Sequence, residues 1–244
     1  MSTSHRGAFL SRVTEAVRAG SRYRETQRSE IPPSVGYLGA GEDPIARFME
    51  ELRTVGAHPQ RTGTREEAGA LVRTLVERFT VQRAIVNATR ILRELEILET
   101  LRGAGVEVAT PEELAVCDEA TRRDRCFAAD LGVAAADWAI AETGSLVYAS
   151  GPQQTRSATL LPPVHLAVVD CTRILADLIE LPAKLQERSV DGVLPRNVAL
   201  VTGPSKTGDI ELRLTTGVHG PGEVHVVIWE RTAMTNVEVR MTKE

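Results

Sequence analysis

The sequence predicts an α/β fold, a layered Rossmann-like arrangement around a mixed, mostly parallel sheet, with a helical arm at its amino end. Three observations predict it. Between residues 43 and 113, capped helical stripes alternate with short apolar runs, the pattern of strands joined by crossover helices. Beyond residue 130 the runs shorten and are separated by Gly, Pro and Thr, and such continuous apolar runs suit strands buried on both faces. The Thr143-Gly144 pair between two of these runs reads as a hairpin, which makes the sheet mixed.

Residues 7–28 read as a charged helix with a thin apolar stripe of Phe9, Val13, Ala16 and Val17, and Ile31-Pro-Pro through Gly41 as a linker. Residues 1–40 are expected to be an arm, dispensable for folding of a main domain at 41–244 and suited to packing on a partner or on a second copy in a homo-oligomer. Asp43 and Pro44 are a good N-cap and first helical residue, followed by Ile45, Phe48, Met49, Leu52 and Val55 at helical spacing until Gly56. Thr64 and Glu67 form a capping box ahead of the stripe Ala68, Leu71, Val72, Leu75, Val76 and Phe79. Arg83–Val86 is a strand candidate, and Ile91, Leu92, Leu95, Leu98 and Leu101 return to helical period before Gly103. Val106–Ala109 makes another strand, and Thr110 with Glu113 caps a further helix. The later strand candidates are Trp138–Ala141, Leu146–Ala149, Leu166–Val169, Val198–Val201 and Val224–Ile228, with one long helix over Leu175–Glu187.

At 244 residues, 42% hydrophobic and 25% charged, the chain can bury a core without a metal or disulfide staple. A net charge of −4 argues against a nucleic-acid partner. The local exception, Arg18, Arg22, Arg24 and Arg28 against Glu25, reads as a solvated helix face or arm. Cys117, Cys126 and Cys171 form no C-x-x-C pair, so reduced thiols in the cytoplasm are expected and no cysteine-held iron–sulfur cluster or zinc. No run of about 18 apolar residues spans a membrane, and the polar, basic amino end does not read as a signal peptide.

Three loops concentrate chemistry-bearing residues. In the first, Ala141 to Ser145, Glu142 could serve as base or nucleophile or grip a ligand hydroxyl, or equally satisfy a turn, with Thr143 and Gly144 beside it. The second runs from Val201 to Glu211. Its Gly203, Ser205, Thr207, Asp209 and Glu211 offer backbone N–H groups, hydroxyls and carboxylates to a small anionic ligand, with Lys206 as countercharge. Neither a Walker A spacing nor a G-x-G-x-x-G fingerprint occurs, so no cofactor is identifiable. In the third loop, Thr216 to Gly222, His219 lies among glycines including Gly220 and could take a proton from a hydroxyl. Glu142, Asp209 and His219 are the catalytic candidates. A metal held by His219, Asp209 and Glu211 matches no ligand spacing and is not expected. His225 reads as a core or edge residue, His165 as either a strand-entrance residue or a contributor to the same region, and Arg156 as a carboxylate partner or a solvated loop residue. The three loops are expected together outside the carboxyl ends of the strands.

AETGSLVYAS at 141–150, LLPPVHLAVVD at 160–170, TGPSKTGDIE at 202–211 and GVHGPGEVHVVI at 217–228 give the chain its resemblance to the lactate-utilisation protein C family, whose domain is the LUD (lactate utilisation) domain. The resemblance covers roughly residues 45–230. It implies the layered fold of CoA transferases and ribose-phosphate isomerase, and a place in a cytoplasmic system that oxidises L-lactate to pyruvate. Within that system it implies the iron–sulfur-free component, acting beside iron–sulfur protein partners. Fold analogy also supports another reading, a free-standing enzyme of CoA-transferase-like or sugar-phosphate-isomerase-like type with Glu142 as base or nucleophile.

Overall fold

The computed structural model describes residues 3–26, 39–187, 195–208 and 214–231. Asp209 and Glu211 of the expected site lie outside them. The chain divides into two compact units, Met1–Tyr37 and Leu38–Glu244. The first holds one helix, α1 (Thr3–Thr26), whose Phe9, Leu10, Val13 and Val17 are exposed.

The second unit runs in the order α2 (Pro44–Thr54), β1 (His58–Thr62), α3 (Arg65–Phe79), β2 (Arg83–Val86), α4 (Arg90–Glu94), α5 (Ile97–Gly103), β3 (Glu107–Ala109), α6 (Pro111–Ala115), α7 (Glu119–Phe127) and β4 (Leu131–Ala135). It continues with β5 (Trp138–Ile140), β6 (Ser145–Ala149), α8 (Ser157–Leu160), β7 (Val164–Asp170), β8 (Ile174–Leu175), α9 (Leu181–Glu187), β9 (Val198–Val201), β10 (Lys206–Gly208), β11 (Leu214–Thr216) and β12 (Glu223–Trp229). Six strands form a wholly parallel sheet in the order β1-β12-β7-β4-β2-β3, and four form a mixed sheet, β8-β5-β6-β9. The remaining pair, β10 and β11, is antiparallel. The molecule is α/β with a parallel-dominated sheet.

The layering follows from alternation along the central strands. Leu131, Val133 and Ala135 of β4, Leu166 and Val168 of β7 and Val227 of β12 join Val72, Leu75 and Leu101 of α3 and α5 in one core. The intervening Ala134, Ala167, Val169, Val226 and Ile228 face Phe48 and Leu52 of α2 and Ala139, Leu146 and Tyr148 of the mixed sheet. The outer face of the mixed sheet packs Trp138, Ile140 and Val147 against Leu175 and Leu181.

Local signals act as expected at the helix starts. The Asp43 carboxylate accepts from the Ile45 and Ala46 N–H groups, 3.0 Å each, and both capping boxes, Thr64 with Glu67 and Thr110 with Glu113, are closed. Two expectations fail. The helical period from Ile91 to Leu101 is split into α4 and α5 by Glu96, whose backbone is left-handed (φ 52). The long helix over Leu175–Glu187 is cut to seven residues. Leu175 belongs to β8, beside Ile140, and the Asp177 carboxylate accepts from the Ile179 and Glu180 N–H groups, which closes a tight turn instead of an α-helix.

Candidate functional site

The strand order places a reversal at the centre of the parallel sheet. After β2 the chain moves outward to β3, then returns to β4 on the other side of β2 and continues to β7 and β12. The connections leaving β2 and β4 therefore diverge, which opens a crevice at their carboxyl ends. A cleft of about 510 Å³ lies there, lined by Thr89, Arg90 and Ile91 after β2, Ala135 to Trp138 between β4 and β5, Gln154 after β6, Asp170 at the end of β7 with Arg173 beyond it, Lys184 and Glu187 of α9, and Arg231 after β12. Its volume falls within the roughly 300–1,000 Å³ typical of small-molecule sites.

The walls are fixed by polar contacts at the strand ends. Asn87 is buried; its side-chain oxygen accepts from the Thr155 N–H at 3.0 Å, and its amide donates to the Thr155 carbonyl at 3.3 Å. The Asp137 carboxylate accepts from the Ala149 N–H at 2.6 Å and from the Gln154 amide at 3.2 Å, so its charge braces the loop. Asp170 accepts from the Thr172 N–H and hydroxyl and lies 3.7 Å from Arg231 Nε. Beside it, burial first and then the Asp170 and Glu230 carboxylates push the Cys171 thiol up. It stays protonated at neutral pH and is a poor nucleophile.

The lining charges are Arg90, Arg173, Lys184 and Arg231 against Asp137, Asp170 and Glu187. Glu94 pairs with both Arg90 and Arg231, and Lys184 pairs with Glu187 at 3.0 Å. Arg173 is exposed and has no ion-pair partner among the described residues. Thr89 Oγ1 is enclosed without a hydrogen-bond partner among them. A planar guanidinium and an uncommitted hydroxyl lining one mixed-charge cleft suit a small carboxylate or phosphate.

The residues expected from sequence gather elsewhere. Thr143, Ser145 and Thr202 form a hydroxyl chain with 2.7 Å links. Gly144, with φ +65, presses so closely on α2 that a Cβ there would sit 2.8 Å from the Leu52 nitrogen. Gly203 packs on Val55, and Lys206 Nζ donates to the Val55 carbonyl at 2.6 Å, which satisfies the end of α2. The Ser205 N–H donates to the Pro221 carbonyl and the Gly217 N–H to the Ser205 carbonyl, while Gly220 lies against the Ser205 side chain. Thr207 is half-buried in β10, Glu142 is half-buried after β5, and His219 is exposed.

These loops do meet one another. They lie, however, at the amino ends of the parallel strands, because 217–222 precede β12 and are tied by Gly222 and Glu223 to the Pro163 carbonyl just before β7. The expectation of a carboxyl-end position is corrected on that ground: the third loop enters a parallel strand instead of leaving one, and β9, which leads into the second, belongs to the mixed sheet. His165 is fully buried, with Nδ1 3.0 Å from the Gly132 carbonyl and Nε2 2.9 Å from the Tyr148 hydroxyl. It ties the two sheets together. Thr89, Asp170, Arg173 and Arg231 were not anticipated; the available signal was an apolar strand run ending in Asp170 with Arg173 three residues on.

The comparisons agree with this architecture. A protein named Lactate utilization protein C from Bacillus licheniformis is 35% identical over 107 residues, 43% of this chain and 45% of that protein, so the match spans under half of the relative's length. A protein of the same name from Oceanobacillus iheyensis is 23% identical over 236 residues, covering 93% of this chain and 99% of the other. The crystal structure of a DUF162 family protein from Deinococcus radiodurans shares the fold at a TM-score of 0.50, with 21% identity over 77% of this chain and 96% of that one. The LUD domain family profile matches residues 45–229, three-quarters of the chain, and the chain belongs to the LUD domain family.

Proposed function

We propose that this chain is the iron–sulfur-free component of a lactate-oxidising system and that it binds a small anionic 2-hydroxy or 2-oxo acid in the cleft at the carboxyl ends of β2, β4, β7 and β12. The observation that carries the reading is the pairing of Arg173, without a salt-bridge partner among the described residues, with the enclosed Thr89 hydroxyl in one cleft. The names of the relatives from Bacillus licheniformis and Oceanobacillus iheyensis support the lactate assignment. In this reading the Arg173 fork takes the substrate carboxylate, the Thr89 hydroxyl meets the 2-hydroxy or 2-oxo oxygen, and Asp170 accepts from the hydroxyl of a 2-hydroxy acid.

Conversion of lactate to pyruvate releases two electrons and two protons, which need an acceptor. The sequence carries no dinucleotide fingerprint and no C-x-x-C, so iron–sulfur partners are assigned the acceptor role. The loops around Glu142, Lys206 and His219 are assigned to bracing α2 and the amino edge. The test has two arms, calorimetric titration of the chain with L-lactate and pyruvate, and lactate-dependent dye reduction by the chain with and without its iron–sulfur partners. Saturable binding by the chain, with dye reduction only in the mixture, is expected. Dye reduction by the chain alone would overturn the component reading, and absence of binding would overturn the cleft.

A further inference from the structure

We propose that His58, Glu223 and His225 form a binding site for a divalent transition-metal ion of the zinc type at the amino edge of the parallel sheet. β1 and β12 are parallel neighbours with His58 opposite His225. Glu223 lies two residues before His225 on the same strand, so the pleat turns all three side chains to one face. One ligand atom from each falls within 4.8 Å of the others. A single carboxylate oxygen of Glu223 is 3.4 Å from His58 Nε2 and 3.6 Å from His225 Nε2. Tetrahedral zinc with bonds of about 2.0–2.2 Å separates its ligand atoms by roughly 3.3–3.5 Å, so two of the three separations already stand near ligand spacing.

A second observation is independent of the spacing. The His225 side chain is 6% exposed, and neither its Nε2 nor the Glu223 Oε2 has a hydrogen-bond partner among the described residues. Both separations exceed good N–H···O geometry, and one ion would take a lone pair from all three atoms at once. The His58 and His225 rings are stacked at 4.8 Å, and Phe79 from α3 meets His225 edge-on at 5.7 Å, which holds the buried ligand in place.

His58 and Glu223 are 52% and 37% exposed, so a fourth position faces water. Glu223 opens β12 and Arg231 lies just past its end, which at about 3.3 Å per residue puts this site roughly 25 Å from the cleft. The ion acts there as a clasp joining edge strand β1 to β12, separate from the cleft ligand.

The test strips the full-length chain with a chelator and titrates it with zinc chloride by calorimetry, with cobalt(II) chloride by visible spectroscopy, and with zinc during thermal unfolding. His58→Ala and Glu223→Gln accompany it, since both positions are partly exposed and tolerate change. The expected result is about one equivalent of zinc bound per chain, a zinc-dependent rise in Tm, and binding weakened at least ~10-fold in either variant. The cobalt spectrum should show tetrahedral bands without thiolate charge transfer, which separates this site from Cys117, Cys126 and Cys171. No saturable uptake, unchanged uptake in His58→Ala, or a thiolate band would each overturn the proposal.

Discussion

Acidification from pH 7 to pH 5 should destabilise the second unit through His165, and the structure sets the size of the effect. The imidazole is 0% exposed and bonded between a carbonyl and a hydroxyl. The Gly132 carbonyl can only accept, so Nδ1 carries the proton and the neutral Nε2 accepts from Tyr148. Burial is the main reason the folded ring titrates at about 4 instead of 6.5. For a base depressed in the folded state, the contribution to stability is fully present above the unfolded value and is lost as pH falls from 6.5 toward 4. At pH 5 the unfolded ring is mostly charged and the folded ring neutral, a loss of about 2 kcal/mol relative to pH 7. The assay is urea unfolding of wild type and His165→Gln at both pH values. His165→Gln should be less stable at pH 7 but should lose about 2 kcal/mol less on acidification. An equal loss in both proteins would show that His165 titrates normally and that the buried Tyr148–His165 tie is misassigned.

Gly144→Ala should cost roughly 1–3 kcal/mol, read as a lowered urea midpoint, because φ is positive and the added Cβ meets the α2 backbone. Asp43→Ala should cost about 1 kcal/mol through loss of two N-cap bonds, seen as a small drop in Tm with the circular dichroism of the native state unchanged. His219→Ala should stay within ~0.5 kcal/mol of wild type, since the residue is exposed; a larger drop would make the third loop a structural brace in its own right.

What was legible in the sequence was local. Asp43, Thr64 and Thr110 cap helices through bonds to N–H groups two or three residues away, and such signals survive without tertiary context. The central strand β4 was not read because Leu-Gly-Val-Ala-Ala has little β-propensity. Gly132 is required there by a neighbour far along the chain: the Ala158 carbonyl lies 1.8 Å from where a Cβ would be. Edge strand β1, His-Pro-Gln-Arg-Thr, is mostly solvent-facing, and its Pro59 is tolerated because β1 pairs on one side only among the described residues. The hairpin at Thr143-Gly144 was legible because a turn is a local event. The cleft was not, because Thr89, Asp137, Asp170, Arg173 and Arg231 are ordinary residues until the strand order brings four distant segments to one sheet edge. The glycine-rich loops drew attention by composition, yet their glycines allow close packing on α2 and on one another.

The cleft assignment is tested most directly by calorimetric titration of L-lactate and pyruvate into wild type, Arg173→Ala and His219→Ala, each shown to melt like wild type. Loss of a charge-assisted hydrogen-bond pair should cost about 1.5–3 kcal/mol, so Arg173→Ala should weaken binding roughly tenfold to a hundredfold. His219→Ala should bind as wild type does. Undiminished binding by Arg173→Ala together with weakened binding by His219→Ala would contradict the account and place the ligand among the loops at the opposite edge of the sheet.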